Sequence, residues 1–163
     1  MRAKRYYHGT HPDFIAPILA GGFDINARRR SDTGDFGWGV YVWPRRSQAK
    51  VYGVPLAIDV NTDRLAYIPN PYFAKRGEVF QPITEAERLF HSLAFDGRDM
   101  RTTLGNGRIE ASKRIASAFC LAGYTGIRTD NYGETVIFDL TAILRVEALL
   151  AKKHSTRPQA PAK

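Results

Sequence analysis

The chain holds a single cysteine among 163 residues. Cys120 alone excludes an internal disulfide and any metal site built from several thiolates. It stands in the apolar run "IASAFCLAG", where a small buried hydrophobe is the expectation rather than a nucleophile. Nor does any apolar run approach the roughly 18 residues that cross a bilayer. The amino end, "MRAKRYYHGT", is basic but lacks the apolar stretch of a secretory signal. No membrane partner is therefore expected and the cytoplasm is the expected place of action, with delivery there as an effector left open. A P-loop, an HExxH helix and a GxSxG elbow are all missing. "GDFGWG" has the wrong glycine spacing for a dinucleotide fingerprint and follows no strand of a βαβ unit. His8, His11, His91 and His154 lack the spacing of metal ligands, so no metal is expected.

What is present is the composition of a folded domain: 44% hydrophobic and 25% charged residues exclude wholesale disorder. The length suits one domain, expected over residues 1–151, followed by a basic, disordered tail over 152–163. A formal charge of +8 invites a nucleic-acid partner, but its distribution weakens that reading. Residues 1–5 and 152–163 carry seven basic residues and no acid, leaving 17 basic against 16 acidic residues between them. The basicity is thus placed mostly in ends expected to be flexible. The local exceptions are "RRR" at 28–30 and "PRR" at 44–46.

Along the chain, "RYYH" reads as a strand, and Phe14, Ile15, Ile18 and Leu19 recur at helical spacing until Gly21 and Gly22 stop the helix. Residues 24–38 lack periodicity and read as a long functional loop, in which Asp24, Asp32 and Asp35 are turn-forming or solvated. "GVYVW" is a strand and "RRSQAKVYG" a short helix. "VPLAIDV" and "LAYI" are strands joined by the turn "NTD". Thr84 and Glu87 make a capping box ahead of Ala86, Phe90, Leu93 and Ala94. After a second polar loop at 96–108, Ala111, Ile115, Ala118, Phe119 and Ala122 define a helix ended by Gly123. "TGIRT", "ETVIFD" and "ILRVEAL" read as late strands, with some helix open in the last. Without a βαβ rhythm, the order predicts an α+β fold with mixed or antiparallel sheet.

Three separated pieces carry chemistry. In "YHGT", 7–10, a histidine and a glycine close a strand, and glycine permits a ligand to lie on the backbone. The plainer reading is a turn with Thr10 capping the next helix. In "GWGVYVWPRRSQAKVY", 37–52, Tyr41 and Tyr52 bracket a strand-to-helix turn, and two rings can sandwich a flat heteroaromatic ligand. Core packing is the alternative. In "ETVIFD", Glu134 stands at the mouth of an apolar strand, either as an edge charge or as a carboxylate aimed into a cleft.

Taken together, "HGT", "GVYV" with "SQAKVY", and "YGETVIFD" resemble the histidine–tyrosine–glutamate signature of ADP-ribosyltransferases of the diphtheria-toxin and poly(ADP-ribose) polymerase type, small bacterial or phage members in particular. The motifs stand in the family's order across residues 7–139. The resemblance implies a split mixed or antiparallel β-sheet core with flanking helices around an NAD cleft. It implies that His8 holds the adenosine-side ribose and that Gly9, with Thr10 beside it, binds the nicotinamide carboxamide. Tyr41 and Tyr52 would stack on the nicotinamide, and Glu134 would contact the 2′-hydroxyl of its ribose. Arg29 or Arg30, Arg30 foremost, would reach the pyrophosphate. His8, Tyr41 and Glu134 form the implied catalytic set. Ala49 departs from the pattern, standing where many polymerase members have a serine.

A carboxylate beside a sugar that becomes cationic stabilises charge developed in the transition state. Tyr132 stands two residues before Glu134, where the arginine–serine–glutamate class carries a second acid, so arginine modification is disfavoured. The implied activity is mono-ADP-ribosyl transfer, with nucleic acid narrowly ahead of protein as acceptor and a toxin or effector role open. NAD hydrolysis on the same site is one alternative, and a non-catalytic basic nucleic-acid-binding module is another. A monomer is the default assembly.

Overall fold

Strand order follows from which runs are apolar on both faces. The central run "VPLAIDV" becomes β3, Val54–Asn61, in a computed structural model that describes residues 1–26, 37–69, 84–94, 106–130 and 132–149. β3 lies between β1, Ala3–Thr10, and β7, Ile143–Ala148, in an antiparallel three-stranded sheet. Leu56, Ala57, Ile58 and Val60 are all buried, Ile58 and Val60 against Tyr6 and residues of the second sheet that cover one face of β3. β1 pairs with β3 along its whole length, Ala3 opposite Asn61 and Thr10 opposite Val54. The amino end is therefore a strand and not a flexible extension. Arg5 shows why: its guanidinium bonds Asp59 Oδ1 at 2.8 Å on β3 and Glu147 at 3.0 Å on β7. This cross-strand ion ladder holds Asp59 below the usual carboxylate range.

The second sheet has the order β2-β6-β5-β4, from β2, Val40–Val42, through β6, Thr135–Ile137, and β5, Gly126–Thr129, to β4, Leu65–Ile68. Its pairs are antiparallel except β4 with β5, which are parallel. The fold is α+β with mixed and antiparallel sheets, as the order of the sequence patterns predicts. β2 and β6 are buried on both faces. Tyr41, Trp43, Val136 and Phe138 face one apolar cluster with Phe90, Ile115, Phe119 and Ile127, while Val40, Val42 and Ile137 face another with Tyr6, Ile58 and Val60. Period-two alternation thus splits these short strands between two cores. Burying one side chain such as Phe119 contributes about 1.5–3 kcal/mol.

Helix α1 runs Pro12–Gly21, with its chain turning away at Gly22 (φ 81°). Its cap is His11, whose Nδ1 accepts from the Asp13 amide, and not Thr10, which stays in β1 opposite Val54. α2, Arg46–Ala49, continues as a 3-10 turn over Lys50–Tyr52. The capping box before α3, Glu85–Ala94, forms as expected: Thr84 N donates to Glu87 Oε2 at 2.8 Å, and Glu87 N to Thr84 Oγ1 at 3.1 Å. In α4, Asn106–Leu121, the buried face is Ala111, Ser112, Ile115 and Phe119.

Cys120 lies one step, or about 100°, around the helix from Phe119 and is exposed, contrary to the apolar-run expectation. Partial burial of the sulfur, with Asp139 nearby, pushes its thiol up, so the thiolate is disfavoured. The last apolar run is strand throughout β7, after a 3-10 turn over Leu140–Ala142 that Asp139 caps by accepting from Thr141 N at 3.0 Å. Among the described residues, no helix is long and apolar enough to cross a membrane.

Candidate active site

Among the described residues, the two sheets are bridged through backbone where Tyr7 N donates to Trp43 O and Trp43 N to Tyr7 O, both at 2.8 Å. Because Tyr7 turns its N–H and C=O toward Trp43, Gly9, two residues on, turns its own pair to the same edge of β1. The partner across β3 agrees with this. Gly9 faces Pro55, and a proline has no N–H to give, which costs nothing at a position whose hydrogen bonds point the other way. Gly9 therefore presents one donor and one acceptor beyond the bridge, on the edge of β1 away from β3.

His8 lies at the same junction. Its Nδ1 is 2.8 Å from Tyr41 O, and its ring meets Phe23 edge-on at 5.0 Å. A carbonyl only accepts, so Nδ1 carries a proton in this bond, and in the neutral tautomer Nε2 is then the acceptor nitrogen. Glycine at position 9 has a packing reason rather than a conformational one. A Cβ there would collide with Ala49 O and come within 2.9 Å of Tyr52 Cβ, so the helix and 3-10 turn rest directly on the β1 backbone. Ala49, fully buried, is the foot of that contact.

Tyr41 and Tyr52 differ in their surroundings. Tyr41 is 6% exposed and its hydroxyl donates to Gly37 O at 2.9 Å, so it is chiefly a core residue whose carbonyl orients His8. Tyr52 is 59% exposed and stacks on Trp43, with ring centroids 4.4 Å apart and planes 10° from parallel. Trp43 is a site residue that the sequence reading left in a strand. Its signal was present, since it follows Tyr41 by two residues and so shares its face.

Glu134 is half-buried at the start of β6. Its carbonyl accepts from Thr129 N at 3.0 Å and Thr129 Oγ1 at 3.1 Å. The β2–β6 register pairs Val42 with Thr135, so one step further sets Glu134 across from Trp43. The turn before it touches the second motif twice: Gln48 Nε2 donates to Tyr132 O at 2.7 Å, and the Pro44 ring lies against Gly133. Segments 7–10, 37–52 and 132–139, far apart in the sequence, thus converge on one junction. Thr10, 7% exposed, closes the end of β1 there. Asp24 forms a local turn, accepting from Asn26 N at 2.9 Å. Arg29, Arg30, Asp32, Asp35, the 96–105 loop and the 152–163 tail lie outside the described residues.

No protein-family profile matches the chain, and no curated protein matches it by sequence.

Proposed function

We propose that the chain is an NAD-dependent mono-ADP-ribosyltransferase. The observation that supports this is the convergence of the histidine, tyrosine and glutamate segments at the Tyr7–Trp43 bridge, with polar groups suited to the parts of NAD. Gly9 offers an N–H and a C=O on one edge, the complement of a carboxamide. His8 Nε2 accepts a hydroxyl proton, as a ribose would supply. Tyr52 offers an exposed ring at that edge. NAD brings a glycosidic bond whose cleavage leaves positive charge on the ribose.

Each residue then has a task. Gly9 orients the leaving ring through its backbone, and the Tyr41 carbonyl keeps the His8 proton on Nδ1 so that Nε2 faces the sugar as an acceptor. Glu134 accepts from a ribose hydroxyl and opposes the developing charge, an interaction stronger in the transition state than in the ground state. Arg45, Arg46 and Lys50 are exposed on and beside α2. Their charge suits a phosphate backbone, which favours nucleic acid over protein as the acceptor.

Nicotinamide release and labelling of RNA, DNA and protein pools, compared between wild type and Glu134→Ala, tests the reading. The variant is expected to lose about 100- to 1000-fold in rate, or about 2.7–4 kcal/mol of transition-state stabilisation. Equal rates in both proteins would sink it. Full-rate release without any macromolecule would assign the site to NAD hydrolysis. Salt-sensitive binding of nucleic acid without release would assign the chain to a binding role.

A further inference from the structure

Glu134 is reached through a turn of unfavourable backbone. Tyr132 has φ 52° and Gly133 φ 70°, both in the left-handed region, and Tyr132 carries a side chain there. Such a conformation persists only when its surroundings fix it. They do so from two directions. On one side, Thr129 N and Oγ1 both donate to Glu134 O. On the other, Gln48 Nε2 donates to Tyr132 O at 2.7 Å while its Oε1 accepts from Arg45 N at 3.1 Å. Pro44 completes this grip, since a Cβ at Gly133 would stand 2.7 Å from its Cγ. The amide of Gln48 uses both its ends, one on the first turn of α2 and one on the strained turn. α2 in turn leads into the segment that rests on Gly9.

We propose that Gln48 is a positioning residue that locks the Tyr132–Gly133 turn to α2, so that Glu134 and the Gly9 edge are held as one body. As a role in turnover, this rests on the NAD-cleaving reading above. The side chain is partly exposed, and its replacement is expected to leave the fold standing.

Gln48→Glu separates the two ends of the amide. Its carboxylate still accepts from Arg45 N but cannot donate to Tyr132 O, and two acceptors then face each other. Nicotinamide release by this variant is expected to fall about tenfold or more through kcat, with KM for NAD little changed, because misplacement of a reacting group acts on the chemical step. The ratio to wild type should rise again from pH 7 toward pH 5, as protonation restores a donor to the glutamic acid side chain. Gln48→Ala, lacking both ends, should fall in rate without that pH recovery.

A second arm needs no NAD. Amide hydrogen exchange at Thr129 and at Gly133–Thr135 should quicken in Gln48→Glu, while β1–β3 amides keep wild-type protection. Unchanged exchange at the turn overturns the clamp whatever the activity. Faster exchange with undiminished release, in an active wild type, overturns the positioning role. Faster exchange in a wild type that releases no nicotinamide upholds the clamp and rejects the NAD-cleaving reading instead.

Discussion

The two sheets solve different problems. β1 and β3 are each eight residues long and pair end to end, and with β7 they carry an ion ladder of Arg5, Asp59, Glu147 and Arg145. β2 and β6 are three residues each, buried on both faces, and joined to their surroundings by turns with glycine or left-handed backbone. A long ladder holds its register by itself, because a slip would misplace every side chain. A strand of three residues does not, and needs pins from outside: the Tyr7–Trp43 bridge, the Tyr41 hydroxyl on Gly37 O, and Gln48 on Tyr132 O. The candidate site lies where the pinned sheet meets the end of β1, and there small displacements are controlled by individual contacts.

The sharpest way to break this contrast is Ile58→Ala. Ile58 is fully buried on β3, so the variant should lose about 2–5 kcal/mol of stability by denaturant unfolding. Its nicotinamide release per folded molecule should nevertheless stay near wild type, and a large loss per folded molecule would erase the distinction between scaffold and site.

Gly9→Ala is expected to have a smaller effect on stability, about 1–3 kcal/mol, because overpacking against Ala49 O and Tyr52 must push the short helix off β1. Its effect on nicotinamide release should exceed what unfolding explains, which kinetics on protein verified as folded would reveal. The finest test concerns Asp139, which links β6 to β7. The Thr141 hydroxyl, then the Thr141 amide and Arg64, hold its carboxyl below the usual range. A depressed folded value means that the charged form favours the native state. That contribution is complete above about pH 4, the ordinary carboxylate value, and is lost as pH falls through the lower native one. Asp139→Asn should flatten this acid limb of a thermal-unfolding series and leave release at neutral pH unaltered.

The elements were legible in the sequence wherever the signal was local. Gly22 and Gly123 ended their helices, the Thr84–Glu87 box announced α3, and alternating or apolar runs marked the strands. What escaped depended on partners distant in the chain. The first five residues look like a charged extension until Asp59 and Glu147 are placed beside Arg5. His11 took the cap assigned to Thr10 because the β1–β3 register continues two pairs further than "RYYH" suggests. Cys120 shares an apolar run with Phe119, yet an apolar run does not say which side of a helix a flanking residue takes. Of the candidate site, the three motifs were legible as residues. Trp43 could be placed on the face of Tyr41 by its spacing, but its stack under Tyr52 and the bond of Gln48 to Tyr132 could not be read, since neither contact has a local sequence signature.

Gln48 and Tyr132 are separated by 84 positions, more than half the chain. During synthesis, the amino-terminal part can lay down β1 and α2 long before the glutamate-bearing turn has been translated, so a nascent or truncated polypeptide holds only half of the junction. Fragments divided between the two motifs would each carry an unfinished junction and would complete it only by finding each other again.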